Sequence, residues 1–346
     1  MKKELLMGTA LVSTLGAASV AEAVTATMSG NHKTGLEFES PNSGTDVTNQ
    51  LNDNNFTVSL SETTDGGMTI SSSFMLANED AVDGDLDAGF TLAMPGGSKI
   101  DLINAGNASG SHDISIPSSA GSEGVTAAAA NSAPSGLDFA TAGTIYGVEF
   151  HTAPDFLVDG LSMSFSASTD NQAAATSTYG VDGHYAFGGT YVSTLGTSDV
   201  TVGFGYSQTE GSKTSAQMTS DEGGFHVGLS AVTGDLTVAV GFADGDSIEA
   251  TNTTQADSEY AAIGAKYVAD SLTFNVGIQS GTSKDSTTVG TAGTTEDSLD
   301  TVSASVSYAV AAGVTAYLGY SSSDAENEGA ASTDGSAWYI GANMSF

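Results

Sequence analysis

The feature that most constrains this chain is a period of two. Beyond residue 23, apolar residues recur at every second position in segments of roughly ten residues, with Ser, Thr, Gly or a charge between them. Met68-x-Ile70-x-Ser72-x-Phe74-x-Leu76, Leu161-x-Met163-x-Phe165 and Val200-x-Val202-x-Phe204-x-Tyr206 show it plainly. A strand puts alternate side chains on opposite faces, so each segment predicts a strand with one apolar and one polar face. Sixteen such segments can be read, the first about Thr25–Glu39 and the last Trp338–Phe346. No stretch after residue 23 is apolar for the ~20 residues that a membrane-spanning helix needs.

The links between segments alternate strictly in length. Short ones lie at Thr63–Gly67, Pro95–Gly97, Ala153–Gly160, Leu195–Ser198, Thr233–Asp235, Ala269–Asp270 and Ala309–Gly313. Long ones lie at Ser40–Asn55, Ala77–Asp87, Asn104–Gly143, Ser168–Tyr179, Ser207–Glu222, Ala243–Ser258, Gln279–Ser298 and Ser321–Ser336. A soluble sandwich has no reason to gather its long loops at one end. A closed barrel crossing a bilayer does, with short turns on the inner side and long loops outside. In hydrocarbon every backbone donor and acceptor must be paired, so strands can cross only as a closed barrel. The apolar parity is then expected to face lipid and the polar parity a lumen. Aromatic residues, with Met94, fall into two girdles: Phe56, Phe74, Phe90, Phe204, Tyr206, Tyr320 and Trp338 toward the loops, and Met94, Phe150, Tyr191, Tyr267, Tyr308 and Phe346 toward the turns.

The N-terminus predicts export. Met1-Lys2-Lys3-Glu4, an apolar run from Leu5 to Val20 and Ala21-Glu22-Ala23 form a basic region, a hydrophobic region and a small-residue cleavage site. Cleavage after Ala23 leaves residues 24–346 as one domain.

Composition excludes several functions. Lys plus Arg total 7 against 41 Asp plus Glu, a formal charge of −34, so no nucleic-acid partner is expected. With no Cys there is no disulfide framework, thiolate metal site or Cys nucleophile. His32, His112, His151, His184 and His226 are scattered, and no nucleophile elbow, zinc-protease motif or phosphate loop is present, so the chain does not read as an enzyme. His151, His184 and His226 fall on the lumen parity, where a wetted wall His is the simpler reading. No cofactor is called for. Asp83, Asp85 and Asp87 make a weak calcium candidate, but an EF-hand would need Gly and Glu where Ala88 and Met94 stand, which leaves structural Ca²⁺ as an open alternative to a solvated acidic loop.

The alternating last strand ending on Phe346 resembles the assembly signal of bacterial outer-membrane barrels. With it, the phrases Tyr146–Phe165, Gly189–Tyr206 and Val302–Tyr320 make the mature chain resemble a general porin of the alphaproteobacterial, Rhodobacter-like type. The resemblance implies an all-β, 16-stranded antiparallel transmembrane barrel, usually a homotrimer, passing small hydrophilic solutes. Its partners would be outer-membrane lipid, lipopolysaccharide and the barrel assembly machinery. It also implies a third loop folded into the lumen, and the third long link, about 104–143, is the longest.

One departure stands out. Such porins often face acidic loop residues with Arg and Lys, and this chain has no Arg. Parity puts Lys33, Lys99 and Lys266 on the lumen side, with Glu37, Glu39, Asp101, Glu149 and Asp182; the third loop adds Asp113, Glu123 and Asp138. A carboxylate-rich lumen concentrates cations and repels anions, so a cation-preferring channel is expected. The competing class is a non-channel surface protein, an adhesin or coat. It would share the exported strands and Ser/Thr-rich loops but not a charged loop inside a hollow barrel.

Overall fold

A computed structural model describes residues 24–41, 45–78, 89–102, 107–118, 136–137, 147–168, 181–211, 213–214, 217–218, 221–248, 255–286, 293, 295–327 and 332–346. Sixteen strands close into one antiparallel barrel: β1 (Thr25–Pro41), β2 (Val47–Thr63), β3 (Thr69–Asn78), β4 (Phe90–Ala93), β5 (Lys99–Leu102), β6 (Gly147–His151), β7 (Leu161–Ser168), β8 (Val181–Leu195), β9 (Ser198–Gly211), β12 (Asp221–Thr233), β13 (Leu236–Ile248), β14 (Gln255–Ala269), β15 (Leu272–Ser286), β16 (Thr295–Ala311), β17 (Val314–Glu326) and β18 (Thr333–Ser345). Two short strands, β10 (Lys213–Thr214) and β11 (Gln217–Met218), pair with each other outside the barrel sheet. Every barrel strand pairs with its chain neighbour, and β1 against β18 closes the ring.

Period two decides the two faces. Val227 lies opposite Phe242 and Leu229 opposite Val240, and all four are exposed, as are Ile278, Val302 and Ile340. Large apolar side chains on the surface of one parity are what lipid contact requires. The opposite parity carries Ser, Thr, Gly and the buried polar residues Ser164, Ser207, His226, Ser303 and Ser321. That parity is the inside. Residues 107–118 touch it on β8, β9, β12, β13, β14 and β15, which a segment can do only from within a closed ring.

The short connections are tight turns with the backbone their twist demands. Two-residue links at 196–197 and 234–235 place Gly196 and Gly234 at φ of +67° and +57°, the left-handed conformation favoured in two-residue hairpins. Asp270 takes the same conformation at +51° in the link before β15, which a short polar side chain tolerates.

The strands are longer than their apolar segments, and this corrects the sequence reading of the loops. Ser40–Asn55 is not a long link, because β2 begins at Val47 and only 42–46 connects it to β1. The links read at Ala243–Ser258, Gln279–Ser298 and Ser321–Ser336 likewise shorten to 249–254, 287–294 and 327–332. From β13 to β18 the added strand ends reach past the lipid, where both faces meet water and the alternation vanishes while the backbone ladder continues; on β2 the added residues carry a polar outer face, level with Leu36 and Phe38, that hides the strand from the apolar pattern. Phe56 changes girdle for the same reason. It sits mid-strand opposite Gly30, its ring centroid 6.0 Å from that of Phe346, at the turn end.

Phe346 itself finishes the closure. Its backbone exchanges hydrogen bonds of 3.2 and 3.1 Å with Gly30, and its ring lies where a side chain on residue 30 would stand. Residues 1–23, Asp83, Asp85, Asp87, Glu123 and Asp138 lie outside the described residues, as does most of 104–143; Asp182 is in β8, its side chain outside them.

Candidate pore constriction

Between β5 and β6 the chain leaves the sheet for residues 103–146, and its described parts lie in the lumen. Residues 107–118 open with a single 3-10 turn, Gly110–His112, then run extended across the inner wall. Six lumen-facing glycines make the track. A methyl on Gly188 would fall 2.6 Å from the Ala108 carbonyl oxygen, on Gly228 2.6 Å from Ile114, on Gly241 2.9 Å from Leu137 and on Gly277 2.7 Å from the Pro117 oxygen. One on Gly203 would strike the His112 oxygen and one on Gly264 the Pro117 oxygen. The loop backbone therefore packs on bare strand backbone, and Ala108, Ser109, His112 and Ile114 are buried there.

Hydrogen bonds fix the start of the track. The Ala108 amide donates to Ser166 Oγ at 3.0 Å, and Ser111 donates to Glu149 Oε1 at 2.6 Å. His226 Nε2 reaches the Ser109 carbonyl at 3.1 Å and Asp113 Oδ1 at 2.9 Å. A longer chain runs through two imidazoles: Thr190 Oγ1 to His112 Nδ1 at 2.7 Å, His112 Nε2 to Ser164 Oγ at 2.8 Å, Ser164 Oγ to His151 Nδ1 at 2.7 Å, and His151 Nε2 to Asp101 Oδ2 at 2.8 Å. Asp101 can only accept when ionised, so His151 Nε2 carries a proton. Ser164 Oγ links the two rings, and each of the four ring nitrogens has a partner. Burial pushes the His112 imidazole from its ordinary 6.5 down to about 4, helped by His151 and His226 and opposed by Asp113.

The charged residues sort themselves around this contact. Asp101, bound by Thr91 and 3.1 Å from Lys99 Nζ, and the buried Glu149 lie beside the loop's entry on β5 and β6. Asp113 is on the loop itself. Lys33 is on β1, 4.0 Å from Asp53, and Glu37 and Glu39 share its face, the latter accepting from Asn49 at 2.6 Å. Residues 107–118 have their described contacts on the other wall. Lys266 faces the lumen between Thr237 and Asn275, near the turn end of β14.

Residues 114–118 divide the interior. Toward the loops lies a cavity of about 370 Å³ lined by Asp113, Ile116, Leu137, Tyr260, Gln279 and Ser303. Toward the turns lies one of about 670 Å³ lined by Thr201, Ser230, Thr237, Lys266 and Asn275. Residues Ile114, Ser115, Ile116 and Ser118 border both.

Sequence reasoning missed His112, Ser164 and Thr190, and the glycine track. Glycine on the inward parity of consecutive strands, at 188, 203, 228, 241, 264 and 277, was the signal available for the track.

A closed sixteen-strand ring with a segment seated across its lumen is a narrowed tube, and residues 8–328 match the Gram-negative porin family. The chain belongs to that family. It is an outer-membrane channel protein rather than an enzyme, and its place in the cell is the outer membrane. Solved structures agree on the fold. A porin refined at 1.8 Å resolution superposes with a TM-score of 0.62 at 16% identity, covering 93% of this chain and 100% of its own. The anion-selective porin of Comamonas acidovorans gives 0.61 at 11% identity, over 94% and 100%. The trimer form of in-vitro folded OmpT from Vibrio cholerae gives 0.57 at 14% identity, over 92% and 100%. No curated protein matches the chain.

Proposed function

We propose that this porin is a passive, cation-preferring diffusion channel of the alphaproteobacterial type, exported by its first 23 residues and working as a homotrimer. The observation that carries the preference is the charge at the loop's seat. Asp101, Glu149 and Asp113 gather there with one lysine, Lys99, itself paired to Asp101. A porin of the same fold is described as anion-selective, so the sign of selectivity lies in the side chains and not in the barrel. With 41 acids against 7 bases, the field of the whole chain acts in the same direction. Acidic loops would also bind divalent cations, Ca²⁺ at Asp83, Asp85 and Asp87 among them, between neighbouring lipopolysaccharides. Phe346 is the residue presented to the assembly machinery.

The trimer reading rests on the outer face of β1 and β2. His32 and Asn54 hydrogen-bond there, and Thr34, Asn52, Gln50 and Thr48 share that face, level with Leu36 and Phe38 and with Ile340 and Trp338 of β18. A row of polar side chains turned toward hydrocarbon is costly to keep there. A second copy of the chain would cover them.

Purified protein in a planar bilayer with a KCl gradient tests the channel. Stepwise openings with a reversal potential of cationic sign are expected, and Asp113→Asn should move that potential toward zero. An anionic reversal potential overturns the cation preference. A folded, inserted barrel that conducts nothing overturns the channel reading and favours an adhesin or coat.

A further inference from the structure

Lys266 differs from Lys33, Lys99 and Lys284. Lys33, Lys99 and Lys284 each have a carboxylate within 4.0 Å, at 4.0, 3.1 and 3.6 Å. Lys266 has none among the described residues, in a chain of net charge −34. It projects into the larger inner cavity, whose described lining is otherwise uncharged: hydroxyls of Thr201, Ser230 and Thr237, the amide of Asn275 and the loop segment Ile114–Ser118. Thr237 and Asn275 stand directly beside it on the neighbouring strands. Lys266 is two residues, roughly 7 Å of strand, toward the turn end from Gly264, where the Pro117 carbonyl rests on the wall. An ammonium with no carboxylate within 4.0 Å among the described residues, beside hydroxyl and amide groups, is the chemistry of an anion receptor.

The approach from the other side has the opposite sign. Asp113 lines the cavity on the loop side of the same segment, Ile114–Ser118, that Lys266 meets from the turn side. A solute passing the segment leaves a carboxylate behind and meets an ammonium ahead. A simple anion is repelled at the first step, and a simple cation gains nothing at the second.

We propose that Lys266 forms an exit-side binding step for the carboxylate of zwitterionic solutes, of the size of an amino acid or dipeptide, whose ammonium end is held toward Asp113. The field that selects them runs along the pore axis and not across it. This rests on the channel reading above and adds the solute class to it.

The test is uptake by liposomes carrying the purified full-length protein. Wild type should admit glycylglycine faster than an uncharged solute of equal size. Lys266→Gln should lower that ratio about threefold, while Lys266→Arg keeps it and Lys284→Gln, at an ion-paired lysine, leaves it unchanged. Equal entry of the two solutes through wild type overturns the proposal even if Lys266→Gln does not fold. So does an unaltered ratio in Lys266→Gln, or an equal fall in Lys284→Gln. Liposomes that admit neither solute overturn the channel reading itself, an outcome distinct from normal entry of the neutral solute without discrimination.

Discussion

From β8 to β15 the inner face of the barrel is bare, and at the seam of β17, β18, β1 and β2 it is filled. Glycines 188, 203, 228, 241, 264 and 277 leave the first wall without side chains where the loop lies on it. At the seam, Tyr317 and Tyr339 pack inside the lumen with ring centroids 5.6 Å apart and planes tilted by 55°, with Leu51 against them and Gly319 and Gly341 beneath their rings. The outer faces are reversed. The first wall shows lipid Phe225, Val227, Val240, Ile263 and Ile278, while the β1–β2 outer face shows Asn54, Asn52 and Gln50. One ladder therefore does two jobs. Where a loop occupies the inside, the wall offers glycine backbone along the track, with His226 and Thr190 as side-chain anchors, and its outside at that level is apolar. Where the outside is polar, the wall carries its own side chains inward.

The largest effect should come from closing the track. Gly264→Val puts a branched side chain where the Pro117 carbonyl lies, against backbone that cannot step aside. Overpacking of this kind costs about 1–3 kcal/mol, enough to unseat an extended segment held mainly by contacts at its start. The expected outcome is a folded barrel with single-channel conductance raised about twofold. Gly319→Ala, beneath Tyr339 at the seam, should leave residues 107–118 seated and conductance within about a fifth of wild type. Unchanged conductance in Gly264→Val would show that the loop does not set the bore.

That variant also marks where the sequence stopped being legible. Sixteen strands, their order and their faces followed from the period of two, because lipid outside and water inside impose opposite demands on alternate residues. Strand ends did not follow, since Thr48, Gln50 and Asn52 lie in the ladder but carry no apolar alternation to reveal it. The long third link could be expected to turn inward from its length and the family resemblance. Its seat could not, for His112 lies far in the chain from Ser164 and Thr190, and only the closed ring brings it within 3 Å of both. Lys266 was readable as lumen-facing, but that no carboxylate of the described residues pairs with it became visible only beside the pairs made by Lys33 and Lys99.

A middle-sized effect separates a protein-covered seam from a lipid-covered one. Replacing Asn52 and Gln50 together with Leu removes polar groups from the outer face of β2 without touching the lumen. If a second copy covers them, the oligomer should melt lower by several degrees on heated gels, as each lost polar contact removes about 1 kcal/mol. If lipid covers them, the double variant should be more stable, because two desolvated amides have been taken out of hydrocarbon. The sign of the shift decides.

The smallest effect concerns how the loop is held on the first wall, and it depends on pH. The His112 imidazole is neutral in its seat, with its pKa pushed from 6.5 to about 4 by burial. A released loop would return it toward the ordinary value and bind a proton that the seated loop refuses. Between about pH 6.5 and about 4 the released state therefore holds more protons, so the seat is firmest above this window and weakens as pH falls through it. The groups facing His112 are His151 on β6, His226 on β12 and Asp113 on its own segment, and of these Asp113 alone favours the proton. Single-channel records should show brief excursions that grow more frequent as pH falls across the window. His112→Gln, which keeps a donor and an acceptor but cannot take up a proton, should flatten that dependence. If the excursions rise equally in the variant, the acid response does not belong to the His112 seat.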